Sequence, residues 1–265
     1  MGVEGEWNQR PWRSSSHDVR IKAPSSNQEA LDMIPGPPID NKSHFCALYR
    51  KTAADDGGVQ ITFLGSAFFF THAGRVFAAT AAHCVPSIEG EYQVVAQDTP
   101  YVADVAVVDR ALDLCVFIPR SHPQTISMVL NQAREVPSNL PLYAYEFSAT
   151  QVVNGQFRMS PATRVGNCVR LIDQEQFGAG GRRMLELSFP ALKGASGCPV
   201  VLLVGTKMIA CGVIVANAQR HLLPAQVETI LDEKNDLLEE RKYFLPQALA
   251  VNAEHLVDLI ERELG

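Results

Sequence analysis

The chain has 265 residues, 46% apolar and 20% charged, enough hydrophobic material for a sizeable core and too much for disorder throughout. Its 23 Lys and Arg against 29 Asp and Glu give a net charge of −6, without the basic excess that would favour nucleic acid or an anionic membrane surface as a partner. No run of about 18 apolar residues is present to span a bilayer, and the N-terminal Met1-Gly2-Val3-Glu4 stretch lacks the basic and apolar regions of a secretory signal, so the expected location is the cytoplasm.

Residues 1–44 hold only 12 apolar residues, together with Ser14-Ser15-Ser16 and Pro35-Gly36-Pro37-Pro38. Such a composition buries too little surface to offset chain entropy and predicts a flexible N-terminal extension ahead of one domain over 45–265. From Val59 onward short apolar runs recur at 59–64, 67–70, 76–79, 102–108, 114–118, 140–145, 184–189, 200–204 and 208–216. Runs of this length, rich in Val, Ile and Phe and broken by Gly, Pro and polar clusters, predict strands, and their number predicts an all-β fold. Helical spacing occurs late. One predicted helix lies over 224–242, within an insertion at 218–242, and another over 252–263 with Asn252 as its N-cap. Six cysteines without a Cys-x-x-Cys pair are expected to be reduced, buried thiols, so neither a disulfide framework nor a metal site is expected, and no cofactor motif occurs.

Three segments carry chemistry. Thr80-Ala81-Ala82-His83-Cys84 follows a predicted strand, and small residues before His83 allow its ring side close approach to other backbone. Taken alone, a histidine there is equally a surface residue. Asp113 stands directly before the apolar run 114–118, though an Asp in that place is also an ordinary turn residue, and Asp104 and Asp109 are rival acids. Lys193-Gly194-Ala195-Ser196-Gly197 precedes another strand. Glycines on both sides of Ser196 permit a tight path that exposes its hydroxyl and aims successive N–H groups into one concavity, as a tetrahedral oxyanion requires, although a plain hairpin turn has the same composition.

The order His, Asp, Ser, each at a strand end, is one of the known orders of the serine-hydrolase triad. Over about residues 59–263 the sequence resembles the trypsin-like (chymotrypsin-fold) serine peptidases, with Gly65-Ser66-Ala67-Phe68 and 80–84 similar to the family's catalytic-His region. Val107-Val108-Asp109 through Asp113-Leu114-Cys115 is similar to its catalytic-Asp strand, and the 30-residue His-to-Asp spacing is closer to bacterial Deg-type proteases than to digestive trypsins. The resemblance implies two six-stranded antiparallel β-barrels with a C-terminal helix. It implies a triad of Ser196 nucleophile, His83 base and Asp113 orienting acid, with an oxyanion hole from the N–H groups of Gly194 and Ser196.

There are departures. No Ile-Val-Gly-Gly start is present for zymogen activation, and no PDZ domain is expected to follow. Pro190 stands where trypsin carries its acidic pocket residue, which implies a small or apolar P1. Val215, Ala216 and Asn217 look like the edge that pairs with substrate backbone, and 243–246 like the pocket's far wall. The implied function is peptide-bond hydrolysis on a protein or peptide substrate. The alternative is a protease-fold binding module or effector, held inactive until a regulatory protein engages the N-terminal tail or the 218–242 insertion.

Overall fold

The computed structural model describes residues 42–53, 57–133, 135–138, 140–147, 151–153, 156–158, 161–173, 182–205, 207–221, 227–231, 237–242 and 244–265. All lie in the compact unit Pro37–Gly265, and the expected extension over 1–44 falls almost wholly outside them.

The first barrel is built from β1 (Phe45–Ala53), β2 (Val59–His72), β3 (Arg75–Ala81), β4 (Glu91–Ala96), β5 (Thr99–Asp109) and β6 (Leu114–Pro119). They pair antiparallel in the order β1-β4-β5-β6-β3-β2, and β1 pairs again with β2, which closes the ring. Closure removes every exposed sheet edge. Phe68, Phe69, Phe70, Phe77 and Phe117 are fully buried, each contributing roughly 1.5–3 kcal/mol by transfer out of water.

A short strand β7 (Val129–Leu130) pairs in parallel with both β2 and β15 and so joins the two barrels. Next come β8 (Leu142–Glu146), the hairpin β9 (Gln151–Val153) and β10 (Gln156–Arg158), β11 (Ala162–Gly166), β12 (Cys168–Asp173), β13 (Arg183–Leu187), β14 (Pro199–Val204) and β15 (Lys207–His221). After β16 (Val227–Leu231) and β17 (Leu237–Lys242), β18 (Phe244–Asn252) leads into the helix α1 (Glu254–Leu264). In the second barrel the pairing runs β11-β8-β14-β15-β18-β13-β12. Only Asn167 separates β11 from β12, so these act as one bent strand and complete a six-stranded ring.

Strand alternation explains how the barrels pack. Along β8, Leu142 and Ala144 join the second barrel's own core while Tyr143 and Tyr145 join the cluster that contains the first barrel's core. Val200 and Val201 divide in the same way on β14, as do Ala250 and Val251 on β18. Successive residues of a strand face opposite sides, so one face fills the barrel and the other covers its neighbour. Helix α1 adds Leu256, Leu259 and Ile260, spaced for one helical face, to the same shared cluster.

Several sequence expectations are corrected. Over 227–231 and 237–242, inside the predicted helix 224–242, the described residues are the antiparallel pair β16 and β17. Val227, Thr229 and Ile230 are β-branched and fit a pleated surface better than a helix. Moreover, β15 and β18 already run out as a paired ladder to His221 and Phe244, so a strand pair is in keeping with the β-structure on either side. The N-cap of α1 is Ala253 instead of Asn252, whose Oδ1 still accepts the Glu254 N–H at 3.1 Å. The charged Arg50-Lys51 pair masks the strand β1 in the sequence, where it forms the barrel's closing strand.

Candidate active site

His83 lies in a 3-10 turn, Ala82–Cys84, at the end of β3, and Asp113 lies just before β6. Pairing of Ala81 with Leu114 brings the two together. Three hydrogen bonds follow. The Ala82 N–H donates to the Asp113 carbonyl oxygen at 3.0 Å, the His83 N–H to Asp113 Oδ1 at 2.9 Å, and His83 Nδ1 pairs with Asp113 Oδ2 at 2.8 Å. Arg110 donates to the carbonyls of Ala82 and Val85 and braces the turn from the same loop. Asp113 has φ of +59°, a left-handed conformation that Asp tolerates better than most residues and that aims its carboxylate back at the turn.

The rival acids go elsewhere. Asp104 forms a two-pronged exposed pair with Arg120 at 2.8 and 3.1 Å, and Asp109 accepts the Leu112 N–H at 2.9 Å as a turn residue. The His83 pKa is raised from 6.5 to about 10, first by the Asp113 hydrogen bond and then by the neighbouring Cys84 thiol, against the opposing effect of burial. With Nδ1 engaged by Asp113, Nε2 is the ring nitrogen left for proton transfer.

Ser196 sits in the turn before β14. The Ala195 N–H donates to Leu192 O at 2.9 Å, Gly197 N–H to Ile214 O at 2.8 Å and Cys198 N–H to Ala195 O at 2.9 Å. Those of Gly194 and Ser196 donate to no described residue. In a trans peptide the C=O and N–H point in opposite directions, so an Ala195 carbonyl bonded inward turns the Ser196 N–H outward. Gly194 and Gly197 have φ of +96° and +86°, and a Cβ on Gly197 would collide with the Ser66 carbonyl oxygen and Thr80 Oγ1. The turn is therefore glycine-dependent. Behind it, the Ser196 carbonyl accepts the Ser66 N–H at 2.8 Å and lies 3.8 Å from Cys84 Sγ, which brings the nucleophile candidate against the His83 turn. The Ser196 hydroxyl itself has no hydrogen bond to a described residue.

On the pocket side, β14 stops pairing with β15 at Val213, and Val215 is bulged out of the β15–β18 ladder, so no described strand occupies that edge over 215–217. Asn217 crosses to the segment after Pro190: its Oδ1 accepts the Ala191 N–H at 2.8 Å and its Nδ2 donates to Ala191 O at 2.7 Å. Of the segment 243–246, expected as the far wall, the described 244–246 does not pair with 216–217. Ala216 and Asn217 pair with Leu249 and Ala248, and the Ala248 N–H donates to Phe189 O at 2.7 Å, while 244–246 pairs further out with 219–221. The physical reason is the length of β15, which runs on to His221, so that 244–246 meets its outer end.

Sequence reasoning assigned no role to Ser66, Phe147, Arg110 or Arg182. The signal for Ser66 was present, since a hydroxyl directly before the apolar run Ala67–Phe70 must find a partner when buried. Arg182, just before β13, lies in the field of Asp113 and Asp109, and burial lowers its pKa. All six cysteines are buried free thiols, and burial pushes Cys115 and Cys211 up to about 12.

No family model matches the chain, and no curated protein matches its sequence. Among solved structures, it is similar to an HtrA-type protease, AlgW, solved with a decapeptide, at a TM-score of 0.58 and 13% identity. The match covers 84% of this chain and 65% of that one, so the chain spans slightly less than two thirds of that protein's length. The similarity is one of fold: a chymotrypsin-like protease fold of β-barrels with one C-terminal helix.

Proposed function

We propose that the protein is a serine endopeptidase in which Ser196 is the nucleophile, His83 the general base and then acid, and Asp113 the group that orients the imidazole. Ser196 Oγ attacks the scissile carbonyl carbon as its proton passes to His83 Nε2. The carbonyl oxygen becomes an oxyanion held by the N–H groups of Gly194 and Ser196. Collapse breaks the C–N bond, the amine leaves with the proton from His83, and water then hydrolyses the acyl-enzyme by the same steps in reverse. Asp113 stabilises the imidazolium that forms in each half. One observation carries this reading: in the turn at 194–198, the two N–H groups without a backbone partner among the described residues are those of Gly194 and Ser196. Donors preset in this way cost no reorganisation as charge develops, and removing one costs on the order of 10²–10³ in rate.

Substrate backbone pairs with the unpaired edge at Val215, Ala216 and Asn217. Pro190, Ala191 and Ala248 offer no carboxylate to a P1 Lys or Arg, whose burial unpaired is costly, so P1 is small or apolar. Six buried thiols suit a reducing, cytoplasmic setting. Kinship nearer to Deg-type proteases than to digestive trypsins belongs to the same reading.

The unbonded Ser196 hydroxyl favours a second reading, an effector whose triad closes only when a regulatory protein engages the N-terminal tail or the 218–242 arm. Against it, catalytic hydrogen bonds are commonly long before substrate binds. Fluorophosphonate labelling of the isolated protein decides between them. Prompt labelling that is lost in Ser196→Ala supports the peptidase, and no labelling until a partner is added supports the effector.

A further inference from the structure

We propose that Ser66 is the positioning residue of the oxyanion hole, a role that rests on the peptidase reading above. Ser66 is wholly buried on β2, between Gly65 and the apolar run from Ala67 to Phe70. A buried hydroxyl in such a strand is retained at low cost only if it is hydrogen-bonded. Here every polar group of the residue is used. Its N–H donates to Ser196 O at 2.8 Å, its hydroxyl donates to Gly194 O at 2.8 Å, its hydroxyl oxygen accepts the Phe147 N–H at 3.1 Å, and its carbonyl accepts from Thr80 Oγ1 at 2.7 Å.

The two carbonyls that Ser66 holds belong to the two residues whose N–H groups are left unbonded. Gly194 at φ +96° has the widest conformational freedom of any residue type, and nothing in its own side chain restrains it. The Ser66 hydroxyl supplies the restraint from outside. Phe147, donating to the hydroxyl oxygen, leaves the hydroxyl proton directed at Gly194. Those carbonyls belong to the peptides 194–195 and 196–197, so fixing both holds the 195–196 peptide between them, which carries the Ser196 N–H, and anchors the Cα of Gly194 from its carbonyl side. β2 also pairs with β3, which ends at the His83 turn, so the same residue sets the nucleophile loop against the base. Gly197 lacks a Cβ where the Ser66 carbonyl and Thr80 pack against it, which lets this contact close.

The test compares Ser66→Ala and Ser66→Cys with the wild type. Loss of the hydroxyl is expected to lower kcat by about 10- to 100-fold with KM little changed, somewhat less than removing an oxyanion donor outright. Affinity for a peptide boronic acid, which mimics the tetrahedral state, is expected to fall by the same factor as kcat/KM. The pH midpoint of kcat/KM should stay in place, because the His83–Asp113 pair is untouched. Ser66→Cys, similar in volume with a weaker donor, should fall between. Should Ser66→Ala fail to fold, the Cys variant decides alone. Overturning results are kcat within about twofold of wild type, a kcat loss with unchanged boronate affinity, or kcat, KM and pH midpoint moving together. A wild-type protein that neither reacts with fluorophosphonate nor cleaves peptides overturns the peptidase reading and this role with it. A reactive wild type matched by Ser66→Ala overturns the Ser66 role alone.

Discussion

The first-barrel half of the candidate site is held by side chains acting across one short loop, whereas the second-barrel half is held mainly by main chain, with the Ser66 hydroxyl, from strands distant in the sequence. Asp113 and Arg110 grip the 82–85 turn with hydrogen bonds to both its backbone and its imidazole, all from residues adjacent to strands that already pair. The Ser196 turn is held by Ser66 of β2, through its N–H and its hydroxyl, and by the main chain of Ile214 on β15, and it depends on two glycines to reach them. The first half should therefore respond to changes of charge or hydrogen-bonding type, and the second to added bulk.

The largest effects test whether the halves act as one unit. Ser196→Ala and His83→Ala, one from each half, should each lose on the order of 10⁶ in kcat, with the double variant scarcely worse. Steady-state peptide hydrolysis checks this, and additive losses would separate the halves. Asp113→Asn should keep the fold and lose roughly 10⁴, because an amide no longer holds the required tautomer. It also carries a pH signature. The neutral form of His83 is the base, and its pKa is raised to about 10, so kcat/KM should climb with pH well beyond the usual histidine range of about 6.5. Removing the Asp113 hydrogen bond, the foremost cause of that rise, should bring the midpoint back down. The same pair contributes to stability fully below pH 6.5 and loses that contribution as pH rises through about 10. A pH–rate profile of both proteins shows the shift.

Gly197→Ala tests the second half directly. The new methyl meets the Ser66 carbonyl and Thr80 in a conformation, φ +86°, that L side chains avoid. Strain and overpacking together should cost roughly 3 kcal/mol or more. For a domain of this size that is a fall of about 6–12 °C in Tm by calorimetry. Alanine at Gly74, whose Cβ would meet nothing within 4 Å, should cost less even though its φ is also positive.

The same contrast accounts for what the sequence made legible. The His83–Asp113 pairing could be read because local order determines it: a small-residue strand end, then an acid immediately before an uninterrupted apolar strand. Asp104 and Asp109 fail that test in the sequence and bond elsewhere in the structure. What could not be read depends on register. Val227, Ile230 and Leu231 suit a helix by spacing, whereas Val227, Thr229 and Ile230 suit a strand by β-branching, and pairing of β16 with β17 satisfies the strand. That Leu249 and Ala248, and not 244–246, pair with Ala216 and Asn217 could not be read, because no local signal marks how far β15 continues. Ser66 carried a visible signal, a hydroxyl among phenylalanines, but its partners lie 81 to 130 residues away in the chain or, for Thr80, on the next strand.

The smallest expected effect concerns a side chain in the half otherwise governed by main chain. Asn217 ties the substrate edge of β15 to Ala191 through both ends of its carboxamide, while the Ala248 N–H ties the far wall to Phe189 beneath. On the peptidase reading a P1 side chain enters between these two ties and passes the Asn217 carboxamide that bridges them. In Asn217→Gly both bonds and the bridging volume disappear, and the Ala191 backbone groups are left to water at an exposed position, so the fold should be nearly unaffected. The kcat/KM for peptides with P1 Phe or Leu, relative to P1 Ala, should then rise by about tenfold, the lower end of what one methylene of pocket space decides. A peptide series differing only at P1, run on both proteins, reads the ratio. An unchanged ratio would place the size limit deeper, at Pro190 and Ala248, and a preference for Lys or Arg in either protein would mean that these walls do not form the P1 pocket at all.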